Sequence, residues 1–139
     1  MSDVTTDYSA KATAVIVNGL ELDGKGETFA SFSQNEDDYT LTVGADGESV
    51  FSETNNRSGQ LDVTLLQSSA SNDTLSELRN TKAVFPVIVR DTKGRTLLSC
   101  EKGRIMKPAD IEFARDAGER TWSIISGSWY QEQGGNTII

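Results

Sequence analysis

The sequence predicts a mainly β fold, a β-sandwich or β-barrel of short antiparallel strands with one short packed α-helix. Two observations predict it. Short runs that alternate apolar and polar residues recur along the chain, and turn residues close most of them. That is the pattern of strands with one wet face. Between Ser71 and Asn80 the pattern changes to leucines three residues apart, Leu75 and Leu78, which is a helical spacing. Many short strands with one helix fit a layered β architecture.

Each element follows from its residues. Ala12 to Val17 reads as a strand ending at Asn18-Gly19, a pair suited to a tight hairpin, with Leu20-Glu21-Leu22 returning. Asp23-Gly24-Lys25-Gly26 reads as a turn, Phe29 to Phe32 as a weaker strand, and Asn35 to Asp38 as a charged break. In Tyr39-Thr40-Leu41-Thr42-Val43 the apolar residues share one face, so that face is expected to be buried. Gly44-Ala45-Asp46-Gly47 is a turn, Glu48 to Glu53 the returning strand, and Thr54 to Gly59 a polar loop. Leu61, Val63 and Leu65 mark another strand face. The helix from Asn72 to Asn80 begins either with Asn72 as cap or with a Thr74–Glu77 capping box.

Val84 to Arg90 reads as a strand in which Pro86 predicts an edge or a bulge. Asp91 to Gly94 turns the chain, and Arg95 to Cys100 returns. Between Gly103 and Gly118 two readings stand. Pro108 and Gly118 suit the ends of a short helix, whereas the alternation of Ile111 and Phe113 favours an extended segment. Trp122 to Tyr130 is the last strand. Residues 1–10 and the tail 131–139 are expected to be flexible, with Ile138 and Ile139 either disordered or docked on a neighbouring subunit.

The 139 residues amount to about one domain. Thirteen lysines and arginines against 21 aspartates and glutamates give a net charge of −8. Such a surface does not suit tight binding of a nucleic-acid backbone, and it does suit solubility. The single cysteine, Cys100, leaves no internal disulfide; it sits in a strand and is expected to be a buried small hydrophobe. The acidic start, Met1 to Asp7, is unlike a signal peptide, and no apolar run approaches a membrane span.

The chain contains no histidine, which removes the commonest general base and metal ligand. Serine–histidine and cysteine–histidine nucleophiles are excluded with it, and no phosphate-loop motif is present. Glu36, Asp37 and Asp38 form the densest carboxylate cluster, which reads as a solvated turn without the residue order of a calcium loop. Asp46-Gly47 is either a plain hairpin turn or the tip of a hairpin that reaches a neighbour. Arg57 is either a solvated arginine or a partner for acidic residues of a neighbour. Trp122, Trp129 and Tyr130 suit core or interface better than a binding platform.

The order of several segments resembles the tail tube proteins of contractile-tailed bacteriophages. These are Val15 to Gly19, Tyr39 to Glu48, Asn55 to Gln60 leading into Leu61 to Leu78, Val87 to Gly94, Arg120 to Ile124, and Gly134-Gly135-Asn136. The resemblance implies a structural subunit, not an enzyme, in one tail-tube-like domain spanning the chain. Six such subunits would form hexameric rings that stack into a hollow tube. Two hairpins per subunit would line the lumen as one continuous β-barrel, closing strand edges.

The resemblance places contacts with the next ring in the loop from Gly44 to Gly59, at Asp46, Gly47, Asn55, Asn56 and Arg57. It implies no cofactor, metal or membrane anchor. The implied partners are further copies of the chain, the tail sheath, the baseplate and the tail terminator. DNA would pass through an acidic lumen transiently and without specific binding, and the virion tail would be assembled in the host cytoplasm. Two other readings are a tube subunit of a different contractile injection system and a small acidic β-sandwich binding module with exposed Trp122, Trp129 and Tyr130. A third, a two-carboxylate hydrolase, requires a cleft with opposed carboxylates.

Overall fold

The computed structural model describes residues 5–138. Its elements in chain order are β1 (Thr6–Asp7), a 3-10 turn (Ala10–Ala12), β2 (Thr13–Val17), β3 (Leu20–Glu21), β4 (Lys25–Gln34), β5 (Tyr39–Val43) and β6 (Ser49–Glu53). There follow β7 (Gly59–Leu66), α1 (Ser71–Asn80), β8 (Phe85–Asp91), β9 (Leu97–Lys107), β10 (Glu119–Ser126), β11 (Trp129–Glu132) and β12 (Thr137–Ile138). The fold is mainly β with one helix, as the alternation predicts.

The central sheet runs β3-β2-β8-β9-β10-β7-β4, with β11 paired to β9. Strand β9 organises it. Residues Leu97 to Gly103 pair with β8 along one edge. Along the other edge, Gly103 to Lys107 pair with β10 and Leu97 to Cys100 with β11. The sheet curls until β4 and β11 meet: the Phe32 and Trp129 rings stand 5.1 Å apart, edge to face, and Gln131 Nε2 donates to Gln34 Oε1 at 3.1 Å.

Alternation in β7 sends Leu61, Val63 and Leu65 into the core, all nearly inaccessible. They pack with Val15, Val17, Phe85, Val87 and Ile124. The helix adds Leu75 and Leu78. Full burial of such side chains contributes roughly 1.5–3 kcal/mol each.

Several expectations are corrected. Lys25 and Gly26 belong to β4 rather than to a turn. The helix starts at Ser71 and its N-cap is Ala70, which has no polar side chain to cap it; Ser69 Oγ accepts from Ser71 N at 3.2 Å instead. Asn72 is occupied elsewhere: its Nδ2 donates to Leu66 O at 3.0 Å and its Oδ1 accepts from Trp122 Nε1 at 3.0 Å. Pro86 marks a bulge between β8 and β9 but no edge, because β8 lies between β2 and β9. Residues 108–118 form no helix, and Ile111 and Phe113 are exposed.

The final strand breaks at Gly127-Ser128 into β10 and β11. Asn18 and Gly19 both take positive φ, 52° and 81°, as the tight hairpin requires. In the tail, Gln131 and Glu132 extend β11, and Thr137–Ile138 pairs with Thr6–Asp7. Met1 to Val4 and Ile139 lie outside the described residues.

Candidate assembly surfaces

Strands β5 and β6 pair with each other and with no other described strand. Their register sets Leu41 opposite Phe51 and Thr42 opposite Val50. Tyr39, Leu41, Val43 and Phe51 therefore form one apolar face, with Tyr39 and Phe51 in edge contact at 6.4 Å. The predicted alternation is present, but the expected burial is not: these four residues are 55–71% exposed. The hairpin leaves the body as an arm, and no other described strand pairs with it to cover that face. An apolar face this open marks an interaction site more often than an inert surface.

The predicted contact residues fall at opposite ends of the arm. Asp46 and Gly47 form its tip, where Gly47 has φ 88° and the turn closes through Gly44 N to Glu48 O at 2.7 Å. Asn55, Asn56 and Arg57 lie at its base. Arg57 bonds Asp38 Oδ1 at 3.0 Å and Thr54 O at 3.2 Å within its own chain. Gln34 Nε2 reaches the same Asp38 oxygen at 2.8 Å. Asn56 Oδ1 accepts from Ser58 N at 2.9 Å, and Trp129 N donates to Arg57 O at 3.0 Å. These bonds tie the root of the arm to the body and leave the tip free to reach outward.

A second surface is the outward face of β7 and β10. Gln60 Nε2 donates to Asp62 Oδ1 at 2.9 Å, Ser123 Oγ donates to the same oxygen at 2.8 Å, and Thr64 and Thr121 hydroxyls meet at 3.0 Å. The outward residues of β7 are thus one amide, one carboxylate, one hydroxyl and the exposed Leu66, with no cation.

Among the described residues no catalytic constellation converges. Glu36, Asp37 and Asp38 are exposed at the start of the arm, and Asp38 is held by Arg57. Among the described residues no group of three or more acidic or cysteine side chains is placed to hold a metal ion. Trp122 and Trp129 are buried and only Tyr130 is exposed, so the aromatic platform of a binding module is not assembled. The Tyr130 hydroxyl donates to Glu132 Oε1, and that bond raises its pKa. Burial raises the Cys100 thiol above its ordinary value, which keeps it protonated and unreactive at neutral pH.

The family model for the bacteriophage PhiTE tail tube protein matches residues 5–134. The chain belongs to this tail tube family. It is a structural tail protein, not an enzyme, and a component of the virion. Structural protein ORF10 of Pseudomonas phage KPP10 is 24% identical over 154 aligned positions, covering all of this chain and 88% of that protein. The fold resembles the tube-terminating cap of the anti-feeding prophage, with TM-score 0.65 and 6% identity over 95% of each chain. It also resembles the sheath/tube terminator of the extracellular contractile injection system PVC in its extended state. That likeness has TM-score 0.56 and 8% identity over 94% of this chain and all of the other. Sequence reasoning placed the tail-tube resemblance but missed Tyr39, Leu41, Val43 and Phe51 as surface residues. The signal available was charge: the same segment carries six carboxylates and no lysine or arginine between Asn35 and Thr54.

Proposed function

We propose that this tail protein is the repeating subunit of the tube itself, and that the whole chain acts as one tail-tube domain. Hexameric rings stack through the β5–β6 arm, with Asp46 and Gly47 at the reaching end and Asn55, Asn56 and Arg57 fixing its root. The observation that carries this reading is the arm's open apolar face, which a monomer leaves in water and a neighbouring copy covers. Contact between different surfaces of successive copies propagates as a ring or filament. The outward polar patch of Asp62, Thr64, Thr121 and Ser123 on β7 and β10 suits the lumen: its polar atoms bond one another, and Asp62 offers phosphate nothing to hold. DNA then passes without sticking. Sheath, baseplate and terminator proteins are the remaining partners, and assembly takes place in the host cytoplasm.

The likeness to a cap and a terminator of contractile injection systems supports a second reading, a ring-forming subunit of such a machine without DNA passage. Electron microscopy of the purified protein over a concentration series, alone and with sheath and baseplate components, tests the first. Hollow tubes of sixfold rings are expected. Single rings that never stack support the second reading, and a monomer under every condition overturns both.

A further inference from the structure

The arm carries Glu36, Asp37, Asp38, Asp46, Glu48 and Glu53 and no cation, in a protein of net charge −8. Its apolar face needs a partner surface that is both apolar and basic. One strand offers this. The C-terminal half of β9 holds Lys102, Arg104 and Lys107 against the single carboxylate Glu101, and all four are exposed. Lys107 lies 3.7 Å from Asp110, which leaves Lys102 and Arg104 as the principal free cations of the strand. Met106 (48% exposed) lies on β9 beside them, and Ile125 (39%) stands opposite Arg104 on β10. Beyond Gly103 the edge of β9 facing away from β10 has no strand partner among the described pairings. The same holds for the outer edges of β5 and β6.

We propose that the acidic arm of one copy seats on the basic half of β9 in a second copy, with Lys102 and Arg104 meeting the arm's carboxylates and Met106 and Ile125 meeting its apolar face. Opposite charge steers the encounter and fixes its register, and the apolar contact covers the face that a single copy leaves in water. Arm and seat are different surfaces of one chain, so the contact repeats from copy to copy. This seat rests on the tube-subunit reading and names the surface that receives the arm.

The test compares three full-length variants by sedimentation and electron microscopy under conditions where the parent protein forms tubes. Lys102→Glu/Arg104→Glu is expected to lower the sedimenting fraction by about tenfold or more, with its circular dichroism and Tm unchanged. Adding Asp46→Lys/Glu48→Lys to the same chain is expected to restore tubes. A third variant, with residues 39–53 replaced by a short turn, is expected to form none.

Full assembly by Lys102→Glu/Arg104→Glu while the arm-less variant fails overturns the seat and leaves the tube reading intact. Tubes from the arm-less variant overturn the role of the arm in both. A measurement on the unaltered protein is independent of how any variant folds. Carbodiimide cross-linking of tubes grown from mixed light and heavy isotope-labelled chains is expected to join Lys102 to an arm carboxylate across two copies. Tubes whose cross-links never include that pair overturn the proposal.

Discussion

Trp129 joins three distant parts of the chain. Its ring packs against Phe32 of β4, its indole N–H donates to Gly59 O of β7 at 3.0 Å, and its backbone sits opposite Cys100 of β9. Trp129→Ala is expected to destabilise the fold by about 3–5 kcal/mol in urea unfolding. Gly59 is fixed by the same packing, because a Cβ there would stand 2.6 Å from Phe32 Cζ and 2.9 Å from Ser33 O. Gly59→Ala is expected to cost about 1–3 kcal/mol, and the double variant less than the sum, since both act through Phe32.

Gly59 reads in sequence only as the end of a polar loop; the crowding comes from a strand 27 positions away. Burial of Cys100 was legible from its strand, and it has a pH consequence. The folded thiol ionises above its ordinary value of 9.0, so above that value the unfolded chain binds fewer protons than the folded one. Stability therefore falls as pH rises through the unfolded value, until the folded thiol also ionises. Unfolding midpoints measured from about pH 8 to 10 should drop more in the parent than in Cys100→Ala.

At the scale of the element, helix and arm differ in what their own sequence settles. The leucine spacing defines the helix, and Leu75 is fully buried under β9. Leu75→Ala is expected to cost about 2–5 kcal/mol. Its start was not legible, because Asn72 is drawn from the cap position to Trp122 and Leu66 by the packed strands. The arm contributes no side chain to the core. Its replacement by a turn should leave Tm nearly unchanged and abolish assembly. Arg57→Ala removes an exposed ion pair at the arm's root, worth less than about 1 kcal/mol to the fold. Its expected effect is on tube yield, read by sedimentation, because the arm loses its fixed angle.

For the whole molecule, a net charge of −8 opposes phosphate binding overall. Neither subunit nor tube should retain duplex DNA in a filter-binding assay at about 0.15 M salt; salt-sensitive retention at micromolar protein would contradict a slippery lumen. Charge sign, strand alternation, the helix and most turns were determined by the sequence alone, because each depends on neighbouring residues along one segment. The fate of each apolar face was not. Tyr39-Thr40-Leu41-Thr42-Val43 and Leu61-Asp62-Val63-Thr64-Leu65 carry the same alternation. The second lies between β10 and β4 and is sealed by the core, while the first pairs only with β6 and faces water. Alternation fixes which side chains share a face. Only the tertiary structure decides what, if anything, comes from elsewhere in the chain to cover it, and here it leaves the apolar face of β5 uncovered.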